Sequence, residues 1–190
     1  MTIWLIRHGR SRHNDGISDS STDADIGLTD LGLAQAEEIA GKISRRPDLI
    51  VESPYLRARL TAAPTRRRWP DAPAEVWPEV REFDLFGPVI FATADIAEHK
   101  RLDTEYFAAG DSSRKLAADA ESWDDLMARA RGFLARAQAR RREGFIVVFS
   151  HCRFINAVQV ASSATGGENP LAAARSLPIV ANGQIVEIVK

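Results

Sequence analysis

Cysteine is almost absent. Cys152 is the single one in 190 residues, so no intramolecular disulfide can form and nothing calls for an oxidising compartment. Long apolar runs are missing as well: the stretches 145–149 and 185–189 hold five residues each, against roughly 20 for a bilayer span. The start of the chain has neither the basic residues nor the small-residue cleavage site of a secretory signal. The expected location is therefore cytoplasmic, with no membrane partner. An excess of one charge is lacking too, since 25 Lys and Arg stand against 26 Asp and Glu for a net charge of −1. Nucleic acid is then not an expected partner, and any anion site must be built locally. One cysteine and four histidines without CxxC or HExxH spacing give no zinc motif, so no metal and no other cofactor is expected.

What is present is ordinary globular material, 45% hydrophobic and 27% charged, and its length suits one domain over residues 1–190. Four short apolar runs read as strands: Ile3–Ile6, Leu49–Glu52, Phe145–Phe149 and Ile185–Val189. Helical patterns lie between them. Thr29 caps one carrying Leu31, Ile39 and Ile43, and Ser53-Pro54 reads as the start of another that runs to about Arg68. A third begins near Ser122, with Trp123, Leu126, Met127, Ala130, Phe133, Leu134 and Ala137 on one face and Gly144 as its stop. This alternation predicts a three-layer α/β/α fold, with a mainly parallel sheet covered on both faces. Asn182-Gly183 predicts a closing hairpin between Leu177–Val180 and the last strand. The stretch 83–120 fits the alternation poorly and is expected to form a small lid.

Three arginine clusters, Arg45-Arg46, Arg66-Arg67-Arg68 and Arg140-Arg141-Arg142, fall where helices are expected to end. Positive charge there gains about 0.3–1 kcal/mol from the helix dipole, so they need no nucleic-acid partner.

Chemistry is expected beyond the carboxyl ends of the parallel strands, where open α/β sheets bind ligands. Arg7-His8-Gly9 follows the first strand, Ser53-Pro54 with Arg57 the second, and Ser150-His151 the third. Gathering two arginines and two histidines at one sheet end costs repulsion unless an anion sits among them. A phosphoryl group best suits bidentate guanidinium and imidazolium donors. Cys152 is not expected to be a phosphatase nucleophile of the Cys-x5-Arg type, because Val158 stands where the arginine would be.

These residues also carry a resemblance. Leu5-Ile6-Arg7-His8-Gly9 with Asn14, Leu28-Thr29-Asp30-Leu31-Gly32 with Gln35-Ala36, Ser53-Pro54-Tyr55-Leu56-Arg57-Ala58 with Thr61-Ala62, and Val147-Val148-Phe149-Ser150-His151 resemble, in order, the motifs of the histidine phosphatase (phosphoglycerate-mutase-like) superfamily. An Arg-His-Gly tripeptide alone arises by chance in about one chain in a hundred; four ordered motifs do not. Arg10, His13 and Cys152 stand where members often have an acidic residue, an aromatic residue and glycine, and the Trp-Glu-Gly that often follows the acid motif is missing.

The resemblance implies a phosphomonoester hydrolase in which His8 is the phosphorylated nucleophile. Arg7, Arg57, Asn14 and a protonated His151 would bind the phosphoryl oxygens. Glu82, in Arg81-Glu82, would be the proton donor, with Asp84 and Glu79 its near rivals. The alternatives are a phosphoglycerate-mutase-type phosphotransferase or a non-catalytic phospho-ligand or protein-binding module. The partner is a small phosphorylated substrate or a phosphopeptide. Its recognition is expected in 83–120, where Phe86, Phe91, His99, Lys100, Arg101, Arg114 and Lys115 face either the leaving group or solvent.

Overall fold

The structure, a computed structural model, describes residues 1–17, 22–140, 144–163 and 169–189. Its elements are β1 (Thr2–Arg7), α1 (Asp30–Lys42), β2 (Leu49–Glu52), α2 (Leu56–Arg68), β3 (Ala74–Val76), α3 (Gly87–Thr93), α4 (Ile96–Ala109), α5 (Trp123–Arg140), β4 (Phe145–Ser150), α6 (Cys152–Ser162), α7 (Pro170–Ser176) and β5 (Ile185–Val189). The strands form one sheet in the order β3-β2-β4-β1-β5, parallel except for the antiparallel β1–β5 edge. The fold is thus α/β with a mainly parallel sheet. Among the described residues no helix is long and apolar enough to cross a membrane.

The period of two along each central strand divides the core into two layers. Ile3, Leu5, Leu49, Val51, Ile146 and Val148 face a cluster completed by α5 and α6. Their alternates Ile6, Ile50, Phe145, Val147 and Phe149 face a second cluster with Ile39 and Ile43 near α1 and Ala62 on α2. β4 is buried along its whole length, as a strand covered on both faces must be.

Two helix starts follow the sequence closely. Thr29 caps α1 by accepting from the Gly32 amide at 3.1 Å. Ser122 and Asp125 bond each other's backbone amides ahead of α5, whose buried face is the expected set from Trp123 to Ala137. The expected stop at Gly144 follows residues 141–143, which lie outside the described residues, as do Arg141 and Arg142 of the third cluster.

Other expectations are corrected. α2 begins at Leu56, not at Ser53-Pro54, because the Ser53 amide still bonds Phe149 at the end of the β2–β4 ladder. Leu177–Val180 is not a strand; β5 pairs with β1, and 177–184 is a loop folded against the end of β1. Arg45 and Arg46 lie past the end of α1 at Lys42, whereas Arg66–Arg68 and Arg140 do occupy last turns. The short edge strand β3 carried too little apolar pattern to be anticipated. α6 was hidden because its start coincides with the second histidine motif. The stretch 83–120 holds α3 and α4, and Arg101 and Lys115 there pair with carboxylates on exposed surfaces.

Gly9 and Gly32 allow the loop after β1 to lie against the first turn of α1. A Cβ on Gly32 would stand 2.1 Å from the Arg10 carbonyl oxygen, and one on Gly9 would stand 2.5 Å from that of Gly32. Alanine at a helical glycine gains about 1 kcal/mol from propensity, but pushing two backbones apart costs about 1–3 kcal/mol or more. Gly32→Ala is therefore expected to lower stability in urea unfolding. A gain would show that the contact relaxes freely.

Candidate active site

The β1–β4 register sets Arg7 opposite Ser150, so the residues one step beyond, His8 and His151, come together. Their rings lie 5.1 Å apart, and both side chains are buried. Arg57 arrives from the first turn of α2, its Nε donating to His8 Nε2 at 3.3 Å. On the other side of that imidazole, Nδ1 is 2.7 Å from the Gly9 carbonyl oxygen. A carbonyl can only accept, so the proton is on Nδ1 and the lone pair is on Nε2. The Gly9 amide is held by Thr61 Oγ1, which fixes the turn carrying the histidine to α2.

Arg7 is anchored by donation from Nη1 to the Val180 carbonyl oxygen at 2.6 Å. Asn182 Nδ2 donates to the His8 carbonyl oxygen at 3.1 Å and to Asn14 Oδ1 at 3.1 Å. The loop 177–184 therefore supports the Arg7-His8 turn, a role its sequence did not signal. His151 Nε2 stands 2.8 Å from Ser53 Oγ. Among the described residues nothing bonds Arg7 Nε or His151 Nδ1, although both atoms are buried.

Burial, reinforced by the Arg57 and Arg7 charges, holds His8 well below the usual histidine range. Burial and the charge of Arg57 do the same to His151. The imidazolium expected at position 151 is thus disfavoured in the unliganded site. Desolvation and the neighbouring guanidiniums both penalise a further positive charge.

A cavity of about 350 Å³ opens beside His8, lined by three arginines (Arg7, Arg57 and Arg153) and four carboxylates (Asp23, Glu82, Asp84 and Asp103), with the fully buried His151 behind its lining. Asp23, which sequence reasoning missed, grips Arg57 through Oδ1 at 3.0 Å, Oδ2 at 3.1 Å and its carbonyl oxygen at 2.5 Å. It sits in a short polar turn with no motif, so only the fold reveals the pair. Asn14 lines the cavity, and its Oδ1 caps Ser11 through the Ser11 amide and hydroxyl.

Glu82 Oε1 accepts from the amides of Phe83 (2.9 Å), Arg153 (3.1 Å) and Phe154 (3.3 Å), so it caps the start of α6. Burial nevertheless pushes its carboxyl up, outweighing the Phe83 amide and the Arg57 and Arg153 charges. Asp84 is raised for the same first reason, while its Oδ1 accepts from the Gly87 amide. Arg129 ties this turn down, donating to the carbonyl oxygens of Glu79, Arg81 and Glu82 and to Glu121. Glu79 faces Arg136 instead and does not line the cavity.

The sequence departures find ordinary places. Arg10 pairs with Asp15, and Cys152 is a half-buried first helical residue of α6. His13 is half-buried and lines the cavity. Among the described residues no group of three His, Cys, Asp or Glu could hold a metal ion.

Residues 3–189 match the profile of the histidine phosphatase superfamily (branch 1), and the chain belongs to that family. Comparison with curated protein sequences gives no significant match. Among solved structures, the chain is similar to a protein titled mycobacterial hydrolase 1, with 25% identity over 98% of this chain and 87% of that one and a TM-score of 0.79. It is similar in fold to mycobacterial glucosyl-3-phosphoglycerate phosphatase, with 24% identity over 98% and 88% of the two chains and a TM-score of 0.78. The phosphoserine phosphatase of Entamoeba histolytica, solved with 3-phosphoglyceric acid, shares 22% identity over 99% and 90% of the two chains at a TM-score of 0.77.

The depressed histidines have a consequence for stability. Between the ordinary histidine value of 6.5 and their folded values, the unfolded chain binds more protons than the folded one, so stability falls as pH drops through that window. The raised Glu82 and Asp84 act oppositely, binding protons better when folded and losing stability as pH rises. The His8 contribution is therefore read by difference. His8→Asn is expected to lose less melting temperature than the unmutated protein between about pH 7.5 and 5 in phosphate-free buffer. Parallel curves would show that His8 titrates as an ordinary histidine.

Proposed function

We propose that this chain hydrolyses phosphomonoesters through a phosphohistidine at His8 Nε2. The observation that carries the reading is the state of that atom. The Gly9 carbonyl fixes the proton on Nδ1, and burial among arginines keeps the ring neutral, so a lone pair faces the cavity's guanidiniums. Family membership and the phosphatases among its structural neighbours support the same reaction.

In the first step the Nε2 lone pair attacks phosphorus, the ester P–O bond breaks, and the alkoxide takes a proton from Glu82. Three amides converge on Glu82 Oε1, so the transferable proton resides on Oε2. Arg57 exchanges its bond to His8 for one to a phosphoryl oxygen. Arg7 Nε and His151 Nδ1, both buried without a partner, complete the set of groups that stabilise the developing charge. A neutral His151 suffices as a single donor, and the arriving dianion raises its proton affinity. Asn14 lies beside this set and steadies the loop that closes it. In the second step Glu82 as carboxylate takes a proton from water, the water oxygen attacks phosphorus, and the P–N bond breaks. Inorganic phosphate leaves and His8 is restored. No metal enters either step.

His8→Ala is expected to fold, to lose turnover of p-nitrophenyl phosphate, and to lose the acid-labile, base-stable phosphoenzyme formed by the unmutated protein. Full activity in that variant would remove the mechanism. Arg57→Ala should slow turnover by roughly 10²–10³, measured beside Arg67→Ala as a surface control. Glu82→Gln should slow phosphoenzyme formation from an alkyl phosphate far more than from p-nitrophenyl phosphate in single-turnover experiments. Equal slowing would move the proton donor to Asp84.

A further inference from the structure

We infer that the leaving-group side of the cavity selects an alcohol that carries no second negative charge and presents a flat apolar or aromatic ring. This inference rests on the phosphatase reading above.

Beyond Glu82 the wall is made by the segment carrying Phe86 and Phe91, both lining the cavity. The two rings stack on His99 at centroid distances of 4.5 and 5.4 Å, tilted by only 22° and 21°. His99 is 7% exposed, so this aromatic wall is backed by a packed side chain. His13 extends it, 6.2 Å from Phe91 and 6.3 Å from His99. Offset and tilted ring contacts of this kind favour a planar apolar guest.

The charges on the same side are arranged against an anion. Arg7 and Arg57 belong to the phosphoryl end, and Arg153 is the remaining arginine of the lining. Both oxygens of Asp103 hold Arg153 Nη2, at 2.8 and 2.9 Å, and its guanidinium lies 4.0 Å from the centre of the Phe107 ring. Asp103 itself lines the cavity, as does Asp84. A carboxylate or second phosphate on the substrate would meet an arginine whose charge is already paired and would settle beside two acidic side chains. Lys100 lines an adjoining cavity of about 550 Å³ and not this one.

Three alkyl phosphates with closely matched leaving alcohols separate these effects: ethyl phosphate, 2-phenylethyl phosphate and its 4-carboxy analogue. For the unmutated enzyme, kcat/KM for 2-phenylethyl phosphate is expected to exceed that for ethyl phosphate by about tenfold and that for the 4-carboxy analogue by about a hundredfold. Asp103→Asn, which releases Arg153, should recover about tenfold of the loss with the carboxylate. Phe91→Ala, at a half-buried position, should narrow the preference over ethyl phosphate. Equal kcat/KM for the ring substrate and its carboxylate overturns the inference, as does equal kcat/KM for the ring substrate and ethyl phosphate. Phosphate release from p-nitrophenyl phosphate is measured first. Its absence overturns the phosphatase reading, whereas its presence with an unselective series overturns the substrate class alone.

Discussion

The parallel ladder between β1 and β4, with Arg7 opposite Ser150, brings His8 and His151 together, and the rest of the site is built around that meeting. A slip of one residue would turn every side chain of β1 to the other face. Ile3 and Leu5 would leave one core layer and Ile6 the other. The hydrophobic pattern that stabilises the sheet thus also sets the spacing of the two imidazoles. Gly9 and Gly32 fix the next step, since only their bare backbones let the loop after β1 cross the start of α1.

Once the histidines and arginines are gathered, electrostatics decides their states. Placing four cation-capable groups beyond one sheet end is tolerable because burial disfavours the charged form of both histidines, Arg57 is met by Asp23, and Arg7 donates to the Val180 carbonyl oxygen. The same desolvation that strips protons from the histidines raises Glu82, against the pull of the amides at the start of α6. One physical cause, burial, thereby favours both an uncharged imidazole at His8 and an uncharged carboxyl at Glu82.

Much of this was legible in the chain. Strands of period two, the Thr29 cap and the heptad-like face of α5 follow from local patterning, which survives because the buried faces demand it. His8, Arg57 and His151 could be picked out because each follows an apolar strand where an ordinary surface residue would be expected. Asp23 could not, since one aspartate in a polar turn looks like any other. Nor could the loop 177–184, whose Asn182-Gly183 suggests a hairpin but which instead supports Arg7 and His8 through Val180 and Asn182. Turn propensity is local, whereas the partner strand of β5 was decided by the free edge of β1.

Local signals in the chain carry the α/β alternation, the two-sided burial of β4 and the family motifs, because periodicity and residue type at strand ends are local properties. The proton position on His8, the lowered proton affinity of His151 and the pairing of Arg57 with Asp23 and of Arg153 with Asp103 came with the tertiary fold. They depend on burial, on the folded course of the loop after β1 and on contacts between residues 34 or 50 positions apart in the chain, which no local pattern encodes.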